Sequence, residues 1–248
     1  MARPTSCDDT DDYSTTDVAF PWVDGASPAA AGSTSQALVW KGSQWASGLL
    51  NQYPYKQTTV SSYNVMDQIL EYFGDAATYP NLKSIIVAGH SLGGQYVNRY
   101  AAVGNTPSIS VPVRFWIGNP NDYLWFDTTR PATKKPAVDC PTYDNWRQGL
   151  ASGTTPSYAD ALVGQGRAAV YSNYQSKSKI LAKALGDSGD DSSSCAPFTV
   201  GQNRDERFFE TIKAYPPTSI DNVDYVANVG HDAGAMFSSQ AGLYRLFF

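Results

Sequence analysis

The stretch Gly89-His90-Ser91-Leu92-Gly93-Gly94 limits what this chain can fold into more than any other segment. It follows Ser-Ile-Ile-Val-Ala over 84–88, a short β-branched run with the composition of a buried strand. It precedes a helical pattern over 93–103, where Tyr96, Val97, Tyr100 and Val103 recur on one face. Passing from strand to helix through Gly-x-Ser-x-Gly demands a sharp turn in which the serine takes strained backbone angles. Small residues at Gly89 and Gly93 are expected to relieve the crowding of that turn. The Ser91 hydroxyl then stands above the carboxyl end of a sheet. The helix N-terminus beneath it favours developing negative charge, and the backbone N–H of Leu92 is expected to serve as one oxyanion donor.

The rest of the chain supplies further strands and helices in alternation. Ser61 and Ser62 can cap a helix carrying Val65, Met66, Ile69, Leu70 and Phe73, which Gly74 ends. A second strand is predicted over 113–117, ending at Gly118-Asn119-Pro120, and another over 223–229, before a closing helix at 233–247. Residues 180–186 have good helix propensity, but the topology needs a strand between Ile117 and Val223, so we expect a strand there. Strand, helix and strand in succession predict an α/β fold with a mostly parallel sheet and helices on both faces. Residues 1–36 are polar and acidic and read largely as loop. Residues 37–248 read as one domain, with an excursion or cap at about 121–175 where Pro, Thr, Asp and Gly are frequent.

Composition removes several classes of function. With a net charge of −5, the chain has no basic surface to attract a phosphate backbone, which argues against nucleic-acid binding. No apolar run approaches the ~20 residues needed to cross a bilayer. Only two histidines occur, too few for most zinc-dependent hydrolytic sites, so no metal and no cofactor are expected. His90 lies within the turn itself and its side chain should point elsewhere. That leaves His231, in Val229-Gly230-His231-Asp232, as the base for Ser91. Its position late in the chain suits the order serine, acid, histidine. The acid should follow the strand near 180–185. Asp190 is the first choice, Asp187 the alternative and Asp191 the third, with Asp122 an outside possibility.

Cys7, Cys140 and Cys195 are an odd set, so at most one intramolecular pair can form. Cys140 and Cys195 both sit among turn-forming residues, where an extracellular disulfide would staple loops; three reduced thiols are the alternative. The N-terminus has no apolar signal-peptide core.

Taken together, these features resemble the α/β-hydrolase superfamily, and more narrowly secreted fungal serine-hydrolase-like proteins. The resemblance runs through Val87 to Gln95, Asn98-Arg99-Tyr100-Ala101, Ile117-Gly118-Asn119-Pro120, Cys140-Pro141-Thr142-Tyr143, Gly201-Gln202-Asn203-Arg204 and Gly230-His231-Asp232. It implies a Ser91–Asp190–His231 triad and a Cys140–Cys195 disulfide, and it carries no particular substrate; the first expectation is a secreted esterase- or lipase-like serine hydrolase acting on a small or polymeric ester. An inactive binding protein with the same fold, or an acyltransferase, are the competing expectations. Such proteins usually begin with further strands, and a segment after an early strand gives the second oxyanion donor. No such segment is evident here, and Val18-Ala19-Phe20-Pro21-Trp22 is what could stand in for it. The sheet is therefore expected to be short at its N-terminal edge, by truncation or with a second chain completing it.

Overall fold

The computed structural model describes residues 38, 40, 42–51, 60–131, 139–189, 192 and 194–248. The polar segment 1–36, including 18–22, lies outside them, as do Asp190 and Asp191.

Helix α1 (Ser62–Gly74) begins where the sequence places it. Ser61 accepts from Tyr63 N–H while the Asn64 side chain accepts from the Ser61 N–H, a reciprocal cap that satisfies two orphan donors. The sheet follows: β1 (Ile85–His90), β2 (Val113–Gly118), β3 (Ser178–Ala184) and β4 (Asn222–Val226), all parallel and in the spatial order β1-β2-β3-β4. Residues 180–184 are thus strand despite their helix propensity. Central parallel pairing buries both faces of the run, which isolated propensity does not register. Among the described residues β1 is one edge of the sheet, the edge where further strands were expected.

The crossovers are α2 (Leu92–Val103) between β1 and β2, α3 (Asp160–Val163) and α4 (Arg167–Gln175) before β3, and α5 (Arg204–Ala214) before β4. Alternation along the strands divides the core. Val87, Phe115, Ile117 and Leu181 face one way, with Val97, Tyr100, Val170, Tyr174 and Phe208 from α2, α4 and α5. Trp116, Ile180, Ala182 and Ala184 face the other way, with Met236, Phe237 and Leu246. The latter come from α6 (Ala233–Ser238) and α7 (Gln240–Phe247). The single closing helix expected at 233–247 is two, because Ser239 takes an extended conformation and its hydroxyl caps α7 through the Gly242 N–H. Helices cover both faces, and the chain has the α/β-hydrolase fold. The segment 121–126 is not a surface loop. Tyr123, Leu124, Trp125 and Phe126 are all buried in the larger core.

A buried ion pair fixes that segment to α2. Arg99 is fully buried and bonds to Asp122, Gln95 and the carbonyls of Ala46 and Arg147. Asp122 also accepts from Gln148 at 2.7 Å, so both of its oxygens are held by structural partners. Asp122→Ala leaves the Arg99 charge buried without its counter-ion and is expected to cost about 3–5 kcal/mol. Urea denaturation followed by circular dichroism will measure that loss.

Candidate active site

Ser91 occupies the tight turn in a backbone conformation that L residues seldom adopt, with φ 56° and ψ −120°. Such a conformation costs roughly 1–3 kcal/mol, and the surrounding contacts hold it. The Ser91 N–H donates to the Gly118 carbonyl at 2.9 Å, and the Gln95 N–H donates back to the Ser91 carbonyl at 2.9 Å. Two glycines make the turn possible, one of them not the expected one. A Cβ on Gly89 would lie 2.2 Å from the Gly93 carbonyl oxygen, and one on Gly94 would lie 2.6 Å from the Gly118 oxygen. At Gly93 a Cβ would meet nothing within 4 Å. The crowding is therefore at Gly89 and Gly94, where helix α2 presses on β1 and β2, and Gly93 faces open space.

The Ser91 hydroxyl is 2.8 Å from His231 Nε2, and His231 Nδ1 is 2.7 Å from Asp187 Oδ2. Three loops at the carboxyl ends of β1, β3 and β4 supply these groups. The loops after β3 and β4 are bound together, since the Gly186 N–H donates to the Val229 carbonyl at 2.9 Å. A side chain at Gly186 would crowd that same carbonyl. The carboxylate that meets His231 is thus Asp187, the alternative acid in the sequence reading; Asp190, the first choice, lies outside the described residues. Asp187 lies three residues past the end of β3, in a turn where its N–H donates to the Ala184 carbonyl at 3.1 Å. The aspartate nearest the strand end was the available signal.

The Asp187 side chain is only 1% exposed. Burial alone would push its pKa up, but hydrogen bonds from His231 and Arg204 outweigh burial and hold the carboxyl below its usual range. An ionised Asp187 fixes the proton on His231 Nδ1, leaving Nε2 to accept from the Ser91 hydroxyl. Leu92 opens α2, and its N–H, in the first turn, has no acceptor within the helix.

His90 does not point away from the site. Its ring centroid lies 4.7 Å from that of His231, and its Nε2 lies 3.3 Å from the Asn119 side-chain nitrogen, which donates to it. Asn119 in turn accepts from the Ala184 N–H at 2.8 Å, joining the ends of β2 and β3 under the site. Burial first, and the neighbouring His231 second, lower the His90 pKa from 6.5 to about 4. Cys140 and Cys195 form a disulfide, as the resemblance implies, tying the segment before α3 to the connection between β3 and α5. Among the described residues no cluster of three or more His, Cys, Asp or Glu could hold a metal. No helix there is long and apolar enough to cross a membrane.

The parallel sheet with helices on both faces is the α/β-hydrolase fold, and solved structures share it. In solved structures the chain is similar to LpqC, a poly(3-hydroxybutyrate) depolymerase from Bordetella parapertussis, with a TM-score of 0.50 and 17% identity. That match covers 74% of this chain and 56% of the depolymerase, so the chain spans little more than half of that protein's length. It is also similar to poly(aspartic acid) hydrolase-1 from Sphingomonas sp. KT-1, with a TM-score of 0.50 and 18% identity, over 83% of this chain and 71% of that one. No family profile and no curated protein sequence matches the chain.

Two outcomes follow from this geometry. Gly94→Ala is expected to cost about 1–3 kcal/mol through overpacking, whereas Gly93→Ala is neutral or gains up to about 1 kcal/mol from helix propensity; thermal melts of both variants compare them. His90 binds its proton less readily when folded than unfolded, so its share of the stability is lost as pH falls from 6.5 towards about 4. The urea midpoint of the native protein should therefore drop more between pH 7 and pH 4.5 than that of His90→Gln.

Proposed function

We propose that the protein is a serine hydrolase that cleaves a carboxylic ester through an acyl-enzyme intermediate. The observation that carries this reading is the unbroken chain Ser91 Oγ–His231 Nε2 at 2.8 Å and His231 Nδ1–Asp187 Oδ2 at 2.7 Å, set on a strained strand-to-helix turn. Strained backbone at a serine held in place by its surroundings is what a preorganised nucleophile needs.

In this reading Ser91 Oγ attacks the ester carbonyl as His231 Nε2 takes its proton. Asp187 stabilises the imidazolium that results without itself being protonated. The Leu92 N–H donates to the oxyanion. His231 then gives its proton to the departing alkoxide, leaving an acyl-Ser91 ester. Water, deprotonated by His231, attacks that ester, and His231 returns the proton to Ser91 Oγ as the acyl–oxygen bond breaks and the acid is released. Ser91 is only partly buried and the His231 side chain is 27% exposed, so substrate can reach the pair. The two solved structures above act on polymers by their names, and a polymeric ester is the first substrate class to try beside small esters. The Cys140–Cys195 disulfide supports a secreted protein, because such bonds persist in oxidising compartments.

A fluorophosphonate probe should label the native protein, and Ser91→Ala should abolish both labelling and hydrolysis of a p-nitrophenyl ester. Asp187→Asn is expected to lower kcat by about 10⁴-fold, since it leaves His231 in the wrong tautomer, while Asp190→Asn keeps most of the activity. A folded native protein that neither labels nor hydrolyses would sink the reading.

A further inference from the structure

Asp187 has two oxygens, and the chemistry above uses one of them. The other, Oδ1, accepts from Arg204 Nε at 2.7 Å. Both side chains are deeply buried, with Asp187 1% and Arg204 8% exposed. A carboxylate taken so far out of water needs a permanent positive partner. His231 cannot be that partner in the resting state, where the imidazole must be neutral to accept the Ser91 proton. Arginine can, because its guanidinium stays charged at every working pH.

The first turn of α5 is built around this contact. Asn203 caps the helix by accepting from the Glu206 N–H at 2.9 Å, which points the next residue, Arg204, at the loop after β3. The Arg204 N–H donates to the Gly189 carbonyl at 3.1 Å. Gly189 leaves room for the guanidinium, since a Cβ there would come within 2.5 Å of it. On the main-chain side, buried Lys183 donates to the carbonyls of Asp187 and Ala184 and pairs with Asp205 at 2.8 Å. Adjacent residues at the start of α5 thus hold the acid loop from two directions, Arg204 through the carboxylate and Asp205 through Lys183.

We propose that Arg204 is a positioning residue of the catalytic acid, fixing the Asp187 carboxylate against His231 and keeping it ionised in a dry site. The inference rests on the hydrolase reading for its catalytic meaning, but its physical content lies in the Arg204–Asp187 contact. Among the described residues, the charged and titratable groups around the Asp187–His231 pair are Arg204 and Lys183 with its partner Asp205 on the α5 side, and Tyr123 from the segment after β2. His90 lies beside His231 on the β1 side, and Asp232 is the next residue, its carboxylate capping α6 through the Ala235 N–H. Of these, only Arg204 bonds directly to the carboxylate that faces His231. Removing its charge makes the pair easier to protonate, so the acid limb of activity moves to higher pH.

The test compares the native protein with Arg204→Met and Arg204→Lys by two readouts. One is the pH profile of kcat and KM on a p-nitrophenyl ester; the other is the Asp187 carboxyl titration followed by ¹³C NMR, which needs no activity. Arg204→Met should raise the Asp187 midpoint, shift the acid limb of kcat/KM upwards and lower kcat at least tenfold with little change in KM. Arg204→Lys, charged but without the planar fork, should keep the low Asp187 midpoint and lose severalfold in kcat. An Asp187 midpoint unmoved in folded Arg204→Met overturns the inference. If Arg204→Met does not fold, native kcat in Arg204→Lys overturns it and a reduced kcat with unchanged KM supports it. A native protein that shows no hydrolysis or labelling defeats the hydrolase reading alone, and the titration still decides whether Arg204 governs Asp187.

Discussion

Parallel pairing sends the carboxyl end of every strand to one edge of the sheet, and the candidate site depends on that constraint. Ser91, Asp187 and His231 are separated by long stretches of chain, yet each follows a strand, so the register of β1, β3 and β4 brings their loops together. β2 contributes no member of the trio, but its end supplies Asn119 and Gly118, which hold His90, the Ser91 N–H and the start of the Ala184 turn. The strand that adds no side chain to the trio is the spacer on which the others are measured.

Much of this was legible because the informative residues act locally. The turn at Ser91 is written in five consecutive residues, and its strand and helix flanks are written in short apolar patterns. His231 followed by elimination, a matter of counting rather than geometry. The acid was harder to read. Asp187, Asp190 and Asp191 are close together in one polar stretch of sequence, and what marks Asp187 is a contact with Arg204, on a helix the sequence reading did not identify. The signals for α5 were present: Asn203 as cap, Asp205 and Glu206 in the first turn, Lys213 in the last. They were obscured by a long polar stretch before them. Crowding at Gly94 rather than Gly93 was beyond reach for a related reason, since the atom it nearly touches belongs to Gly118, on another strand.

Two buried charge networks divide the labour of the fold. Arg99 and Asp122 hold the excursion after β2 against α2. Arg204, Lys183 and Asp205 do the corresponding task for the loop after β3, but there the held group is the proposed acid itself. Ion pairs of this kind contribute little net stability compared with apolar packing, and losing one partner is costly. Their effect is to make the geometry all-or-none, which suits a site where a misplacement of 1 Å can cost about 100-fold in rate.

The disulfide between Cys140 and Cys195, 55 residues apart, closes a covalent ring that contains α3, α4, β3 and Asp187. Ser91 and His231 lie outside that ring, one on each side of it. A protease that cuts once inside the ring therefore does not separate the acid from the nucleophile or the base. Each new end remains joined through the sulfur bridge to the rest of the molecule, and all three groups stay in a single covalent body.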